Sequence, residues 1–277
     1  MKIWYGLIGS PVSRSLSPLM HRFWFARGRI EADYQAKEVR AEELRLTIEK
    51  LRDDATVGGF NVTAPHKHAI LPLLDHLDLA AERLGAVNTV VCREGRLIGY
   101  NTDGAGFIKS LENQNGGHLS KRQDVLILGA GGAAHAVALT LAAYGLRRID
   151  IANRTLNKAS RLSRECGRFC NSKELSLKQA GDELENYSLI INATSAGLSA
   201  ATDGLLIDPA GAHKGAFFVD LIYRPTRTAF LKRAETLDYR VMNGLPMLIL
   251  QGAYAFQKWT GIFPDIHAAE RYLQKKE

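Results

Sequence analysis

Residues 124–145, DVLILGAGGAAHAVALTLAAYG, constrain the fold more than any other part of the chain. The strand-like DVLIL runs directly into Gly129-Ala130-Gly131-Gly132-Ala133-Ala134, and an alanine-rich helical stretch follows. The run matches G-x-G-x-x-G/A, a pattern that is informative only between a strand and a helix, and that context is met here. The first glycine permits a tight turn, the second lets the main chain approach a pyrophosphate, and Ala134 permits close helix–sheet packing. The helix N-terminus presents free N–H groups and positive potential to an anion. Residues 125–146 are long and apolar enough to resemble a membrane span, with His135 as their only basic side chain. Their central glycines instead argue for strand, turn and helix, a dinucleotide-binding unit.

The next strand decides which dinucleotide. An NAD site places Asp or Glu at its end, about 20 residues on, to take the ribose hydroxyls. After RRIDIA this chain has Asn153-Arg154-Thr155, with Lys158 just beyond. A carboxylate would repel a 2′-phosphate, whereas Arg154 binds one through a planar charged fork. From Arg147 to Arg168 there are seven Lys/Arg against two acids, so this segment contributes +5 of a formal net charge of +7. Part of that run is expected to be a solvated helix face, and the rest to serve a phosphate. NADP is favoured over NAD. No reader motif supports nucleic-acid binding as an alternative use of the charge.

A chain of 277 residues, 46% hydrophobic and 23% charged, can bury the cores of one large or two medium domains. Strand-like and helix-like segments alternate without repeats, which favours an α/β class with mainly parallel sheets. Lys2–Gly9 reads as the first strand, Ser17–Ala26 as a helix with Pro18 in its first turn, and Glu38–Arg52 as another helix. GGFNVT reads as a buried strand, Pro65 as a helix start, and Pro72 as a break or restart before LLDHLDLAAERLG. AVNTVVC and RLIGYNT read as a strand pair around an Arg93–Gly95 turn. Beyond the glycine turn, RRIDIANR, LIINATS and FFVDLIY read as strands, and the chain from Gly244 as helical.

The three cysteines, Cys92, Cys166 and Cys170, form neither a disulfide framework nor a zinc spacing, and no HExxH pair occurs. No metal is expected. The apolar run of MKIWYGLIGSP is too short for a signal peptide, so a cytoplasmic location without membrane attachment is expected.

The N-terminal part holds polar groups within otherwise apolar strands: Ser15 and Ser17 in GSPVSRSLSP, Asn61, Thr63 and Lys67 in GFNVTAPHK, Asn88 in GAVNT, and Asn101-Thr102-Asp103-Gly104. Singly, each fits a cap, a turn or the surface; Ser17, for instance, could cap the helix at Pro18. Jointly they offer hydroxyls, amides, one ammonium and one carboxylate, a set suited to a small polyhydroxylated acid.

With these pieces in hand the sequence closely resembles the shikimate dehydrogenase family. The resemblance runs from Gly6 to Gly261 and rests on GSPVSRSLSPLMH, GFNVTAPHK, GAVNT, YNTDG, GAGGAA, NRT, NATSAG, DLIYRPTRT and NGLPMLILQGA in that order. It implies an N-terminal α/β substrate domain, residues 1–103 completed by the C-terminal helices of 245–277, and a doubly wound Rossmann domain over 104–244, with a cleft between them. It also implies oxidation of shikimate to 3-dehydroshikimate with NADP, run in reverse during aromatic biosynthesis. Ser15 and Ser17 would hold the substrate carboxylate, with Tyr223 nearby. Asn61, Thr63, Asn88, Asp103 and Gln251 would bind ring hydroxyls, and Lys67 would be the acid/base paired with Asp103. The cofactor would meet Gly129, Ala130, Gly131, Gly132, Ala133, Asn153, Arg154, Thr155, Lys158, Thr194, Gly244 and Met247; methionine also fills irregular core gaps.

Physical chemistry points to Lys67 as well, because hydride transfer from a C–OH requires a group that moves the hydroxyl proton. A helix N-terminus after Pro65 disfavours a cation and Asp103 favours it, opposed influences that tune Lys67 for exchange. The chain departs from the family at Arg22, where Asn is usual, and at His135, where Arg is frequent. The rival expectations are a dual quinate/shikimate dehydrogenase, for which Thr63 and Thr102 leave little room, and a non-catalytic NADP-binding sensor, which would not need the Lys67–Asp103 pair. Either a monomer or a homodimer accords with the sequence.

Overall fold

The computed structural model describes residues 2–198 and 204–276, which form two compact units, Met1–Gly106 with Leu248–Glu277, and Phe107–Met247. In the first unit β1 (Ile3–Gly9) is buried from Tyr5 onward and leads into α1 (Ser17–Arg27). Pro18 lies in the first turn of α1, where a missing N–H has no helical partner to lose. Leu16, not Ser17, is the N-cap, and the Ser17 N–H instead donates to Ser15 Oγ at 3.2 Å.

The stretch 38–52 is not one helix. Strand β2 (Ala32–Glu38) extends through Glu38, a 3₁₀ turn occupies Ala41–Glu43, and α2 (Leu44–Asp53) begins only at Leu44. β2 lies at the sheet edge with its last four residues exposed, so its sequence lacks the apolar alternation that marks a strand. After β3 (Val57–Val62), α3 (His66–Ala69) is a single turn, and Pro72 sits inside a following 3₁₀ turn. Strand β4 (His76–Leu77) then intervenes, and the helix expected in LLDHLDLAAERLG starts only at α4 (Leu79–Leu84), where Asp78 accepts the Ala81 N–H at 2.8 Å. Strands β5 (Thr89–Arg93) and β6 (Arg96–Tyr100) form the expected antiparallel hairpin through Glu94 and Gly95, both left-handed, before α5 (Asp103–Asn115) leads out of the unit.

The second unit runs β7 (Asp124–Leu128), α6 (Gly132–Tyr144), β8 (Arg148–Ala152), α7 (Leu156–Cys166), β9 (Glu174–Leu175), α8 (Leu177–Asp182), β10 (Leu189–Asn192), β11 (Phe217–Asp220), α9 (Ala229–Glu235) and β12 (Arg240–Met242). All of its strands pair in parallel, in the order β12-β11-β10-β7-β8-β9, the doubly wound arrangement with its switch point between β7 and β10. The central strands are continuous apolar runs because both faces are covered. The chain then returns to the first unit through α10 (Leu245–Thr260) and α11 (Ile266–Gln274).

The first unit's sheet has the order β2-β1-β3-β5-β6-β4 and is mixed: β1 pairs in parallel with β2 and β3, β5 is antiparallel to β3 and β6, and β4 is parallel to β6. This topology brings the C-terminal ends of β1, β3 and β6 and the N-terminal end of β5 to one edge. On one side of the sheet, Tyr5 packs against Phe25 and Trp259, and the Trp259 indole donates to Val90 O at 2.9 Å, fastening α10 to the strands. Among the described residues no helix is long and apolar enough to cross a membrane.

Candidate active site

Each strand end at that edge delivers part of a polar cluster. β3 delivers Asn61, Thr63 and, one turn on, Lys67; β5 begins beside Asn88; β6 ends at Asn101, Thr102 and Asp103. Lys67 Nζ donates to Asp103 Oδ2 at 2.7 Å, with the lysine side chain 32% exposed and the carboxylate 11%. The ammonium is thus open to a ligand while its counter-ion is held inside. Asp103 stands in the first turn of α5, where the helix N-terminus favours a carboxylate, and its own N–H donates to Asn101 Oδ1 at 3.1 Å. α3 is a single turn, so the helix field expected to oppose a charge on Lys67 is small beside Asp103 in direct contact.

Asn88 is 2% exposed and is the hub of the cluster. Its Oδ1 accepts the Thr102 main-chain N–H at 2.8 Å, so its Nδ2 must face the other side. There Nδ2 meets Asp103 Oδ1 and Thr102 Oγ1, each at 2.9 Å, and Gln251 Oε1 of α10 at 3.2 Å. One carboxylate oxygen of Asp103 is therefore held by Asn88 and the other by Lys67. Asn61 joins the same network, donating from Nδ2 to Asn88 O and Thr89 Oγ1. Ser15, half-buried, and Ser17, buried, lie where the chain leaves β1 and enters α1. Tyr223, half-buried, belongs to the second unit, in the loop after β11. Tyr34, which nothing in the sequence marks, and Thr89, which closes the GAVNT motif but is given no role by it, complete this network from β2 and β5.

The switch point of the second unit gathers the cofactor candidates. Gly129 has φ +112°, and a Cβ there would lie 2.9 Å from Thr194 Cγ2, so the glycine turn and the loop after β10 meet closely. Among the described residues, a Cβ on Gly131 or Gly132 would meet nothing within 4 Å. Gly131 is the N-cap of α6 and no described side chain caps it, so the helix leaves its first N–H groups to a ligand or solvent. These features fit a pyrophosphate. Beyond β8, Asn153 donates to Thr155 O at 2.9 Å, and Arg154 and Lys158 are exposed and make no ion pair among the described residues, as a 2′-phosphate requires. His135, in the first turn of α6, lies 2.7 Å from Glu165 Oε2 on α7. Gly244 is a close-approach glycine: a Cβ there would clash with Leu221 O. Met247 is half-buried in the first turn of α10.

At the ends of β10 and β11 within the second unit, Asn192 Oδ1 accepts from Thr194, and its Nδ2 donates to buried Asp220 at 3.0 Å. Asp220 also accepts from Ile222 N and Thr228 Oγ1, and so anchors the loop carrying Tyr223. Burial raises its carboxyl above the ordinary value, against these three donors. The thiols of Cys92 and Cys166 are pushed up to about 12 by burial, which removes them from nucleophilic chemistry. Among the described residues no cluster of three His, Cys, Asp or Glu is placed to hold a metal.

Comparison with known proteins identifies relatives of the whole chain. Residues 7–90 match the shikimate dehydrogenase substrate binding domain, 110–225 the shikimate / quinate 5-dehydrogenase model, and 244–272 the shikimate 5′-dehydrogenase C-terminal domain. The chain is 41% identical, over 100% of its length and 99% of the relative's, to the shikimate dehydrogenase (NADP(+)) of Bacillus cereus strain AH187. The crystal structure of Thermus thermophilus shikimate 5-dehydrogenase with NADP(H) and shikimate superposes with a TM-score of 0.87 at 36% identity, covering 99% of each chain. Corynebacterium glutamicum quinate dehydrogenase in complex with NAD superposes with a TM-score of 0.90 at 30% identity, again covering 99% of each.

Proposed function

The chain belongs to the shikimate dehydrogenase family, and on that premise we propose how its residues carry out the NADP-dependent interconversion of shikimate and 3-dehydroshikimate. It is an oxidoreductase acting on a CH–OH group. NADP, when bound, supplies the partner for the hydride at the reacting carbon. The accompanying proton falls to the protein.

Lys67 Nζ takes the hydroxyl proton as shikimate is oxidised and returns it to the carbonyl oxygen in the reverse direction. An ammonium has three N–H donors, and Asp103 takes one, which leaves two for the reacting oxygen and its neighbours. The ion pair as it stands suits the reduction. Asn88 fixes the carboxylate of Asp103, so that Lys67 is aimed by a group that is itself held. Ser15, Ser17 and Tyr223 bind the substrate carboxylate, and Asn61, Thr63, Asn88, Asp103 and Gln251 the ring hydroxyls. Residues 129–133 and the α6 N-terminus take the pyrophosphate, while Asn153, Arg154, Thr155 and Lys158 take the adenosine side with its 2′-phosphate. Thr194, Gly244 and Met247 complete the cofactor site. A compartment with free access to the cytoplasmic NADP pool and a monomeric or homodimeric state accord with this reading.

The observation that carries the proposal is the 2.7 Å Lys67–Asp103 pair, half-open on the lysine side and anchored on the aspartate side. Lys67→Ala should lower kcat for shikimate by roughly 10²- to 10⁴-fold, the usual range for a lost general acid/base, with the NADP KM unchanged. Turnover within a few-fold of wild type would remove Lys67 from the chemistry.

A further inference from the structure

One phenol lies behind the proposed substrate residues and takes no part in the proton transfer. Tyr34 on β2 is fully buried, and its hydroxyl lies 2.7 Å from Asn61 Oδ1. The direction of this bond follows from the other side of the amide. There, Asn61 stands 3.1 Å from the main-chain oxygen of Asn88, which can only accept, so the amide nitrogen must face it. Thr89 Oγ1, at 3.0 Å, is the second acceptor for that nitrogen. The amide oxygen therefore faces Tyr34, and the phenol donates. Both amide hydrogens and one of the two lone pairs on Oδ1 are then committed within the protein. What remains to Asn61 is a single acceptor.

We infer that Tyr34 is a positioning residue for substrate recognition: its hydroxyl fixes the Asn61 amide as an acceptor, so that this point of the site selects a ligand group that donates a hydrogen bond, a ring hydroxyl. The inference rests on the reading of Asn61 as a substrate contact. The phenol is itself held in place. The His21 imidazole stacks on its ring at 4.4 Å with only 6° between the planes, and Trp259 leans against it at 6.1 Å. His21 is fully buried and among the described residues neither ring nitrogen has a hydrogen-bond partner, so it serves as a flat, uncharged plate. Burial holds the Tyr34 phenol well above its ordinary range, which keeps the donor proton on the oxygen at working pH.

Tyr34→Phe removes the hydroxyl and keeps the ring and its stack. Steady-state constants for shikimate and NADP, measured for Tyr34→Phe, Asn61→Ala and the double variant, test the inference. Tyr34→Phe should raise the shikimate KM roughly tenfold, the effect of one net hydrogen bond, with kcat within about threefold and the NADP KM unchanged. In the Asn61→Ala background the same change should add nothing further to the shikimate KM. Equal losses in both backgrounds, or a parallel rise in the NADP KM, would show a general structural role and overturn the inference. An unchanged shikimate KM in Tyr34→Phe, alongside a raised one in Asn61→Ala, would overturn it while leaving Asn61 as a contact. An unchanged KM in Asn61→Ala would remove that contact and the inference with it. The shift of the unfolding midpoint on adding shikimate reads the same affinities for any variant too slow to assay.

Discussion

Lys67 and Asp103 are 36 positions apart in the chain, yet the usefulness of one depends on how firmly the other is held. Asp103→Asn tests this: the amide oxygen can still accept from Asn88, but the charge facing Lys67 is gone. The expected outcome is a kcat at least roughly tenfold lower with a folded, NADP-binding protein, read by steady-state kinetics. His21 gives a prediction of a different kind. Burial lowers its pKa to about 3 from 6.5. Between those values the unfolded chain binds a proton that the folded chain refuses, so stability falls as pH drops through that window. His21→Phe removes this difference. The slope of unfolding free energy against pH, measured between about pH 6 and pH 4, should then flatten by up to about 1.4 kcal/mol per pH unit. An unchanged slope would mean that His21 is protonated in the folded state.

Among the elements, the strand–turn–helix at β7 and α6 was legible because three signals agree there: a continuous apolar strand, a glycine turn and an alanine-rich helix. The edge strand β2 was not, because exposed polar residues replace the alternation by which strands are recognised, and β4, β9 and β12 are too short to leave a pattern. The glycine turn yields a sharp contrast. Gly131→Ala adds a methyl group that meets none of the described residues within 4 Å, so the unfolding free energy should move by less than about 1 kcal/mol while the NADP KM rises about tenfold or more. At the end of β8, Arg154→Ala should raise the NADP KM by at least roughly tenfold, as expected for a charge-assisted hydrogen bond, and leave the NAD KM nearly unchanged. The ratio of the two constants checks it.

Across the whole molecule there are two α/β units, one carrying the Lys67–Asp103 pair and the other the glycine turn, to which the proposal assigns proton transfer and dinucleotide binding. Most of the residues proposed for the site could be singled out in the sequence, since hydroxyls, amides and opposite charges are conspicuous in apolar strands. Their connections could not. Asn88 meets Gln251 across 163 positions, and Tyr34 reaches Asn61 from an edge strand, pairings that only the order of the strands and the return of α10 create. The same limit applies to specificity, because the expectation that Thr63 and Thr102 leave little room for quinate turns on side-chain packing that no sequence pattern records. The most direct measurement is therefore the initial rate of nicotinamide reduction, followed by absorbance, for shikimate and quinate, each with NADP and with NAD. Shikimate with NADP should be turned over fastest, with quinate and NAD well behind. Measurable NADP binding without turnover of shikimate would contradict this.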